Sequence, residues 1–362
     1  MLLELITLLA SQASPARPDT FELSPTVTCS ACRLERKRLV TLDRDHAIRP
    51  SSVAIVGDEI LLIPDGGAPL PILRFELTTG KFLGEVGRVG RGPGEFLWPQ
   101  FLAAMPGDSV FVFDYSSVRF SILAPRSYRY VRGAPVTVAR PSGAVLNGAQ
   151  GKLWVAAAVG RAEQVGYPLH LFTQEGKWVR SVGTERPLLK WSEHLVFSRR
   201  LSLGPDGTVW AISRYGPLRI EAFDAAGKLL RRATYRPPWF PEQTARQKLG
   251  DPPLPERPPF WIGDDKELWI ASLIPAQDWK QGIVRVDDPS HGKSTPTVGD
   301  VAKLFDTMVE VFDLRERRVL FRIRLDEAVV HALPGGVFAV YREDSKGTPE
   351  IGIERWALRG RK

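Results

Sequence analysis

A turn followed by a short apolar run recurs six times along the sequence, and this repeat limits the possible folds more than any other feature. Successive runs start 43 to 69 residues apart, at Ile60, Val110, Leu153, Val209, Leu268 and Val337. A second strand usually follows and leads through a tight turn into another, as residues 73–75 lead through Thr79 and Gly80 into residues 81–82. Units of four short strands at this spacing are typical of a β-propeller.

The two ends of the chain predict how the ring of repeats closes. The last unit ends near Leu358 without a fourth strand, whereas a spare strand at 34–42 precedes the first complete unit. Pairing these two strands would remove an open sheet edge. We therefore predict an all-β, six-bladed β-propeller of four-stranded antiparallel blades, closed by an N-terminal outer strand. The predicted blades are 51–87, 98–133, 142–183, 198–235, 259–325 and 328–358 with 34–42.

One position in the second strand of each unit is aromatic in five of six units. Its occupants are Leu61, Phe111, Trp154, Trp210, Trp269 and Phe338. Aromatic rings could form a stacking site for sugars or bases, but the same place in a strand flanked by apolar residues favours burial. We predict that these side chains pack between adjacent blades.

The formal net charge of +8 raises the question of an acidic partner. Basic residues are spread over most of the sequence, which favours a solvated surface over a nucleic-acid site. In the strand around Val319, one face is apolar and the other carries Arg318, Arg322 and Arg324. Because base-stacking aromatics are not interleaved there, we expect these arginines to protect an exposed strand edge. A nucleic-acid partner is therefore disfavoured.

The N-terminal residues 1–16 have features of a secretory signal. An apolar run at 2–10 precedes small residues at 11–16, although Glu4 interrupts the run and no basic residue comes before it. No apolar run reaches the ~18 residues that cross a bilayer. We predict export to the periplasm or the medium, followed by an N-terminal arm at 17–33 and a single propeller at 34–362.

Cys29 and Cys32 are the only cysteines, and they form one C-x-x-C pair. A lone pair of this kind is weak evidence for zinc, no histidine follows for haem attachment, and the βαβ context of a redox motif is missing. In an exported chain, a local disulfide with a structural role is the plain interpretation.

A glycine-rich stretch at 87–96 could cradle a phosphate, but such loops need a strand before and a helix directly after them. A strand-like run follows instead, so we interpret the stretch as the connection between blades 1 and 2. Gly90, Gly92 and Gly94 would allow the sharp return beside Pro93, and Glu95 would accept hydrogen bonds across the connection. These five residues are assigned structural roles.

The sequence contains no clear catalytic constellation. The histidines are His46, His170, His194, His291 and His331, and none recurs at an equivalent position in the repeat. His331 lies in an inner strand and could approach the central channel, where a buried polar role is the plainer interpretation. No catalytic residue, metal ligand or cofactor is predicted. Long segments that would gather on one face are 87–100, 159–168, 183–197, 235–259 and 275–307, and the last two could form a lid.

The stretch Gly90-Arg91-Gly92-Pro93-Gly94-Glu95-Phe96 resembles the inter-blade signature of NHL-type repeats. With the C-x-x-C before the first strand, the chain more closely resembles bacterial exported six-bladed β-propellers over roughly residues 29–360. That resemblance implies the fold and export. Residues 204–210 are also similar to blades of streptogramin lyase-like and gluconolactonase-like propellers, which implies a metal-assisted activity only if channel-facing ligands match.

Three functional hypotheses follow. The first is an exported, non-catalytic binding or scaffold propeller that presents its loop-rich face to a peptide, glycan or protein. The second is a metal-assisted lyase or lactonase at the central channel, which would need a divalent metal. The third is NHL-like RNA binding, which would need one continuous basic face. We expect a monomer in each case.

Overall fold

The computed structural model describes most of the chain. The described residues are 17–46, 48–66, 69, 71–147, 151–158, 166–183, 198–237, 239–240, 251–257, 260–263, 267–288, 293–298, 301–344 and 348–360. The predicted signal segment at 1–16 lies outside them, as do His194, His291 and much of the long segments at 159–168, 183–197 and 235–259.

The described strands form six sheets arranged as blades, with smaller pairings at the N-terminus and in two connections. The N-terminal strands are β1 (Asp19–Glu22), β2 (Ser24–Val27) and β3 (Arg33–Thr41). Blade 1 contains β4 (Pro50–Val56), β5 (Glu59–Pro64), β6 (Ile72–Glu76) and β7 (Phe82–Val86), and β8 (Arg88–Val89) and β9 (Glu95–Phe96) follow it. Blade 2 contains β10 (Pro99–Ala104), β11 (Val110–Asp114), β12 (Arg119–Leu123) and β13 (Tyr130–Pro135).

Blades 3 to 6 continue the pattern. Blade 3 contains β14 (Ala139–Asn147), β15 (Lys152–Ala158), β16 (Leu169–Thr173) and β17 (Trp178–Val182). Blade 4 contains β18 (Arg199–Leu203), β19 (Val209–Ser213), β20 (Leu218–Phe223) and β21 (Leu229–Tyr235). Blade 5 contains β22 (Trp261–Ile262), β23 (Glu267–Pro275), β26 (Phe305–Asp313) and β27 (Arg318–Leu325), with the hairpin β24 (Ile283–Asp288) and β25 (Lys293–Val298) inserted. Blade 6 contains β28 (Ala328–Leu333), β29 (Val337–Glu343) and β30 (Pro349–Arg359).

Helical structure in the described residues is confined to short turns. One-turn 3₁₀ segments occupy Arg44–His46, Pro106–Asp108 and Trp279–Gly282, and one α-helical turn, α1, occupies Val301–Leu304. Neighbouring strands within each blade pair antiparallel in chain order. The all-β, six-bladed prediction is therefore confirmed.

Ring closure also follows the prediction. Strand β3 pairs antiparallel with β30, from Arg33 opposite Arg359 to Thr41 opposite Gly352. It supplies the fourth strand that blade 6 lacks, so the first and last strands of the propeller belong to one sheet. This pairing removes the open edge that the C-terminal strand would otherwise present.

The N-terminal arm adds a fifth strand to two blades, which the repeat did not predict. Strand β1 pairs parallel with β21 of blade 4, and β2 pairs parallel with β27 of blade 5. A disulfide between Cys29 and Cys32 follows, and the chain then enters β3. The arm therefore runs along the outer edges of blades 4, 5 and 6 in succession.

The arm corrects the expectation that arginines protect an exposed edge of blade 5. Strand β2 covers the beginning of β27, with Ser24 opposite Arg318 and Val27 opposite Val319. Two arginines farther along β27 pair with acidic groups: Arg322 lies 2.7 Å from Glu310, and Arg324 lies 2.5 Å from Asp306. In the arm itself, Leu23 is buried between blades 4 and 5. A local strand pattern cannot reveal that a distant segment covers it.

Six clusters of buried hydrophobic side chains lie one at each interface between adjacent blades. Trp154 of blade 3, for example, packs in one cluster with Val209 of blade 4. The recurrent position of the second strand is at most 2% exposed in every blade, at Leu61, Phe111, Trp154, Trp210, Trp269 and Phe338. The predicted packing between blades is confirmed, and burial of these large side chains is the main favourable term at each interface.

The glycine-rich stretch connects blades 1 and 2 through a short parallel pairing of β8 with β9. The backbone N–H of Gly92 donates to Glu95 Oε2 over 2.8 Å, and Arg88 lies 3.5 Å from Glu95 Oε1. A Cβ on Gly90 would collide with the Glu95 side chain, and Gly94 has a φ of 73°. The glycines are thus needed for backbone conformation and for close approach to the carboxylate.

We predict that Glu95→Ala lowers the free energy of unfolding by about 1 kcal/mol, because it removes one hydrogen bond from a backbone amide. Urea unfolding would measure the loss. Arg88→Ala is the matched control and should change the value by less than about 0.5 kcal/mol, since the Arg88 side chain is 82% exposed. A loss of ligand binding with unchanged unfolding would contradict this structural role of Glu95.

Candidate functional site

The propeller has two unlike faces. One face, called here the crossover face, carries the connections between blades and the loops between second and third strands, such as 87–98 and 115–118. The opposite face, the turn face, carries short hairpin turns such as 57–58 and 77–81. Because loops on a rigid scaffold usually carry function, the crossover face is the expected place for a binding site.

A cavity of about 90 Å³ lies at the mouth of the central channel on the crossover face. Five charged residues of the described part of the chain line it: Arg49, Asp65, Arg200, Arg214 and Glu256. Apolar wall is supplied by Phe101, Leu273 and Val330. We call this cavity the axial pocket.

Blade 1 supplies two of the charged groups at the ends of its inner strands. Arg49 directly precedes β4 and Asp65 directly follows β5, so antiparallel pairing brings them together. The backbone N–H of Asp65 donates to the carbonyl of Arg49 over 2.6 Å, and their side chains form an ion pair of 3.2 Å. Arg49 is therefore already paired at the rim of the pocket.

Blade 4, on the opposite side of the ring, supplies two arginines by the same geometry. Arg200 lies near the start of β18, and Arg214 follows the end of β19. The backbone N–H of Arg214 donates to the carbonyl of Ser198 over 3.0 Å, the bond equivalent to that of Asp65 in blade 1. Equivalent positions of opposite blades thus place opposite charges at the channel mouth.

Glu256 reaches the pocket from the connection between blades 4 and 5. Its backbone forms a two-bond bridge with Leu273 of β23, at 3.1 and 2.8 Å, and Arg257 N–H donates to the carbonyl of Arg214. Glu256 Oε2 accepts from Arg214 Nε at 2.9 Å, from Arg214 Nη2 at 2.6 Å and from the Tyr215 hydroxyl at 3.3 Å. The connection is thereby pinned across the channel mouth.

Arg200 is bonded only to backbone carbonyls within the described part of the chain. Its Nε donates to the carbonyl of Arg257 over 3.1 Å, and its Nη1 donates to the carbonyl of Ser142 over 3.5 Å. Burial and then the neighbouring charge of Arg214 lower the pKa of Arg200 to about 10. The guanidinium therefore stays protonated at neutral pH while no described carboxylate forms an ion pair with it.

The carboxylate of Glu256 stays ionised. Burial alone would raise its pKa, but the charges of Arg214 and Arg200 outweigh burial and lower the pKa to about 2. Burial also raises the pKa of Tyr215 to about 12, so that its hydroxyl remains a donor.

The low pKa of Glu256 predicts a loss of stability in acid. The unfolded chain takes up the proton near pH 4.5 and the folded protein only near pH 2. The ionised form therefore stabilises the fold above pH 4.5, by about 3 kcal/mol at most, and this contribution disappears as the pH falls towards 2. Urea unfolding between pH 6 and 2.5 should show the difference between wild type and Glu256→Gln shrinking. A difference that stays constant over this range would contradict the ion pairing described here.

His331 lies next to Val330 in β28 and is 8% exposed. Its Nδ1 has no hydrogen-bond partner among the described residues. Burial, and then the charge of Arg200, lower the pKa of His331 to about 3, so the ring is neutral at physiological pH. The sequence placed His331 in an inner strand near the channel, and the structure buries it there.

The other residues singled out from the sequence lie outside the axial pocket. Gly90, Gly92, Pro93, Gly94 and Glu95 form the connection between blades 1 and 2, and Cys29 and Cys32 lie beside the C-terminal strand at the rim. His46 stacks on Phe82, and His170 is buried against Ser181 in blade 3. Of the two segments proposed as a lid, 235–259 supplies Glu256 to the axial pocket, whereas no described residue of 275–307 lines it.

Sequence reasoning missed all five charged residues of the axial pocket. A usable signal was present, because Arg214 directly follows the first hairpin of its blade, as Asp65 follows its own, and Arg200 lies near the start of the first strand of blade 4. In a propeller, the first strand of each blade lies at the axis, so charges at its crossover end converge. The position of Glu256 had no such signal, because it depends on the path of a long connection.

Among the described residues, no group of three or more His, Cys, Asp and Glu side chains is placed to hold a metal ion. The axial pocket itself presents two carboxylates against three guanidinium groups. That donor set suits an anion better than a divalent cation.

Comparison with known proteins concerns the fold. No family model and no curated protein sequence matches this chain. A solved member of the DUF4221 family from Bacteroides vulgatus is 8% identical, covers 92% of this chain and 99% of its own, and has a TM-score of 0.61. A protein from Bacteroides fragilis that carries the name of an exported protein is 9% identical, covers 94% and 99% of the two chains, and has a TM-score of 0.58. These likenesses show the fold.

The chain is a six-bladed β-propeller, as its repeats predicted, and its structural neighbours include bacterial proteins, as its resemblance to bacterial propellers implied. In the described part of the chain, no helix has the length and apolar character needed to cross a membrane.

Proposed function

We propose that this chain is an exported, non-catalytic binding propeller that receives a peptide or protein on its crossover face, centred on the axial pocket. The observation that carries the proposal is the set of fixed charges at the channel mouth, which lies where the connections between blades converge. A charged pocket of this kind suits a charged peptide better than a neutral glycan.

The protonation states in the pocket support binding over catalysis. General acid–base catalysis is most effective when a group titrates near the operating pH. The pKa of Glu256 is about 2, that of His331 about 3, that of Arg200 about 10 and that of Tyr215 about 12. These four groups therefore keep one protonation state through the neutral range, as a binding site requires.

Export is supported by two independent observations. The chain contains a disulfide between Cys29 and Cys32, and such bonds persist in oxidising compartments. A structural neighbour carries the name of an exported protein. The segment at 1–16 adds the sequence pattern described above.

Site-specific photo-crosslinking tests the proposed face. A benzoylphenylalanine replaces Tyr115, in a loop of the crossover face, or Trp178, which follows a turn of the other face and is 39% exposed. After irradiation of living cells, we expect a discrete adduct from position 115 and none from position 178. Adducts from position 178 alone, or equally from both positions, would contradict the proposal.

A further inference from the structure

Among the described residues that line the axial pocket, the charges do not cancel. Arg49, Arg200 and Arg214 contribute three positive charges and Asp65 and Glu256 two negative charges, which leaves one positive charge. Uncompensated charge in a partly desolvated site is unfavourable, and an anion of opposite charge would relieve it. The pocket is thus matched electrostatically to one negative charge.

The excess charge is localised at Arg200. Arg49 is paired with Asp65, and Arg214 donates two hydrogen bonds to one oxygen of Glu256. Arg200 is held only by the carbonyls of Arg257 and Ser142 among the described residues. These bonds fix the plane of the guanidinium without neutralising it, which leaves it oriented for a ligand.

The size and the walls of the pocket restrict the anion. A cavity of about 90 Å³ has room for about three waters or one small charged group. Phe101, Leu273 and Val330 supply an apolar part of the wall that suits a short aliphatic stem. A doubly charged phosphate would meet Asp65 and Glu256 at close range, whereas a planar carboxylate carries one charge and matches the guanidinium fork.

From these observations, we infer that the axial pocket binds one carboxylate of a peptide, carried by an acidic side chain or by the C-terminus, with Arg200 as its principal partner. The inference rests on the proposed function, because it names the group that the crossover face recognises. The ligand carboxylate forms with Arg200 the ion pair that no described acidic side chain forms. Phe101 contacts the aliphatic stem behind the carboxylate.

Isothermal titration calorimetry with three short peptides tests the inference. Acetyl-Ala-Glu-Ala-amide carries only a side-chain carboxylate, acetyl-Ala-Ala-Ala carries only a terminal one, and acetyl-Ala-Gln-Ala-amide carries neither. We expect one or both carboxylate peptides to bind the wild type, and the glutamine amide to bind at least tenfold more weakly. Binding by neither carboxylate peptide, equal binding by all three, or a preference for inorganic phosphate would each overturn the inference.

Arg200→Met separates binding from a structural role. We expect this variant to lose at least tenfold in affinity for the binding peptide, while its melting temperature without peptide equals or exceeds that of wild type, because an unneutralised charge is removed. Arg129→Met is the matched control, since Arg129 is exposed on the turn face, and it should bind as wild type. Unchanged affinity of Arg200→Met, or a clear fall in its melting temperature without peptide, would contradict the assignment.

The inference and the proposed function fail in different ways. If crosslinking at position 115 persists unchanged in Arg200→Met, a partner binds the crossover face and the carboxylate assignment is wrong. If the carboxylate peptides bind through Arg200 but no crosslink forms at position 115, the assignment of a carboxylate to the axial pocket holds. The proposal of a partner that covers the crossover face near Tyr115 is then wrong.

Discussion

Deletion of residues 17–41 is expected to abolish cooperative folding. The deletion removes β3, which pairs with β30 along nearly its whole length. It also removes Val40 from the core between blades 6 and 1, and Cys32 from the core between blades 5 and 6. With Leu23, which is buried between blades 4 and 5, three of six interfaces would lose buried area. Strand β30 would also become an unpaired edge.

Urea unfolding followed by tryptophan fluorescence would measure this effect, and a permuted chain provides its control. In the permutant, residues 33–41 follow Lys362 through a short linker. The ends to be joined are close, since a Cβ on Gly360 would collide with the carbonyl of Ala31. We expect the permutant to regain a single cooperative transition. A deleted chain that unfolds like wild type would contradict closure by the N-terminal strand.

Replacement of Glu354 by alanine is expected to lower the free energy of unfolding by about 3 kcal/mol. Glu354 is 3% exposed and accepts hydrogen bonds from four side chains: Arg36, Arg38, Arg342 and Trp356. Despite burial, its hydrogen bonds from Trp356 and Arg36 and the nearby Arg342 lower the pKa of Glu354 to about 2. Removal of this anion leaves a cluster of cations on blade 6 without their shared partner, and such losses cost about 3–5 kcal/mol.

The lower end of that range is expected because Arg36 and Arg342 keep Glu327 as a second partner. Glu350→Ala is the matched control. It removes an ion pair with Arg38 and another with Arg44, both of which are more than one third exposed, so we expect a loss below about 1 kcal/mol. Denaturant unfolding at pH 7 compares the two variants, and equal losses would show that Glu354 does not organise the network.

The architecture could be predicted because its signals are local and repeated. Each blade carries a turn, an apolar strand and a buried side chain such as Trp154 at a fixed place, so one irregular copy does not obscure the pattern. Closure by β3 followed from a simple count of strands at the two ends. The glycine-rich stretch could be recognised as a connection because a sharp return of the chain needs backbone angles that glycine adopts readily, and Gly90 and Gly94 both have positive φ.

The N-terminal arm and the axial pocket could not be predicted in the same way. Strands β1 and β2 add to blades that are already complete by pairing with remote segments, and nothing in their own pattern specifies those partners. In the pocket, Glu256 lies near Arg200 because its backbone bonds to Leu273 and the next residue, Arg257, bonds to the carbonyl of Arg214. Charges that meet through a long connection leave no periodic signal in the sequence.

The most direct test of the account is the arginine side-chain NMR spectrum of the full-length protein during titration with sodium propionate at constant ionic strength. Propionate supplies one carboxylate on a short aliphatic stem, as the axial pocket requires. We predict a saturable shift of the Arg200 Nε–Hε resonance, with the resonance of Arg322, whose guanidinium is paired with Glu310, unchanged. An Arg200 resonance that does not respond, or shifts of similar size at both arginines, would contradict binding at the axial pocket.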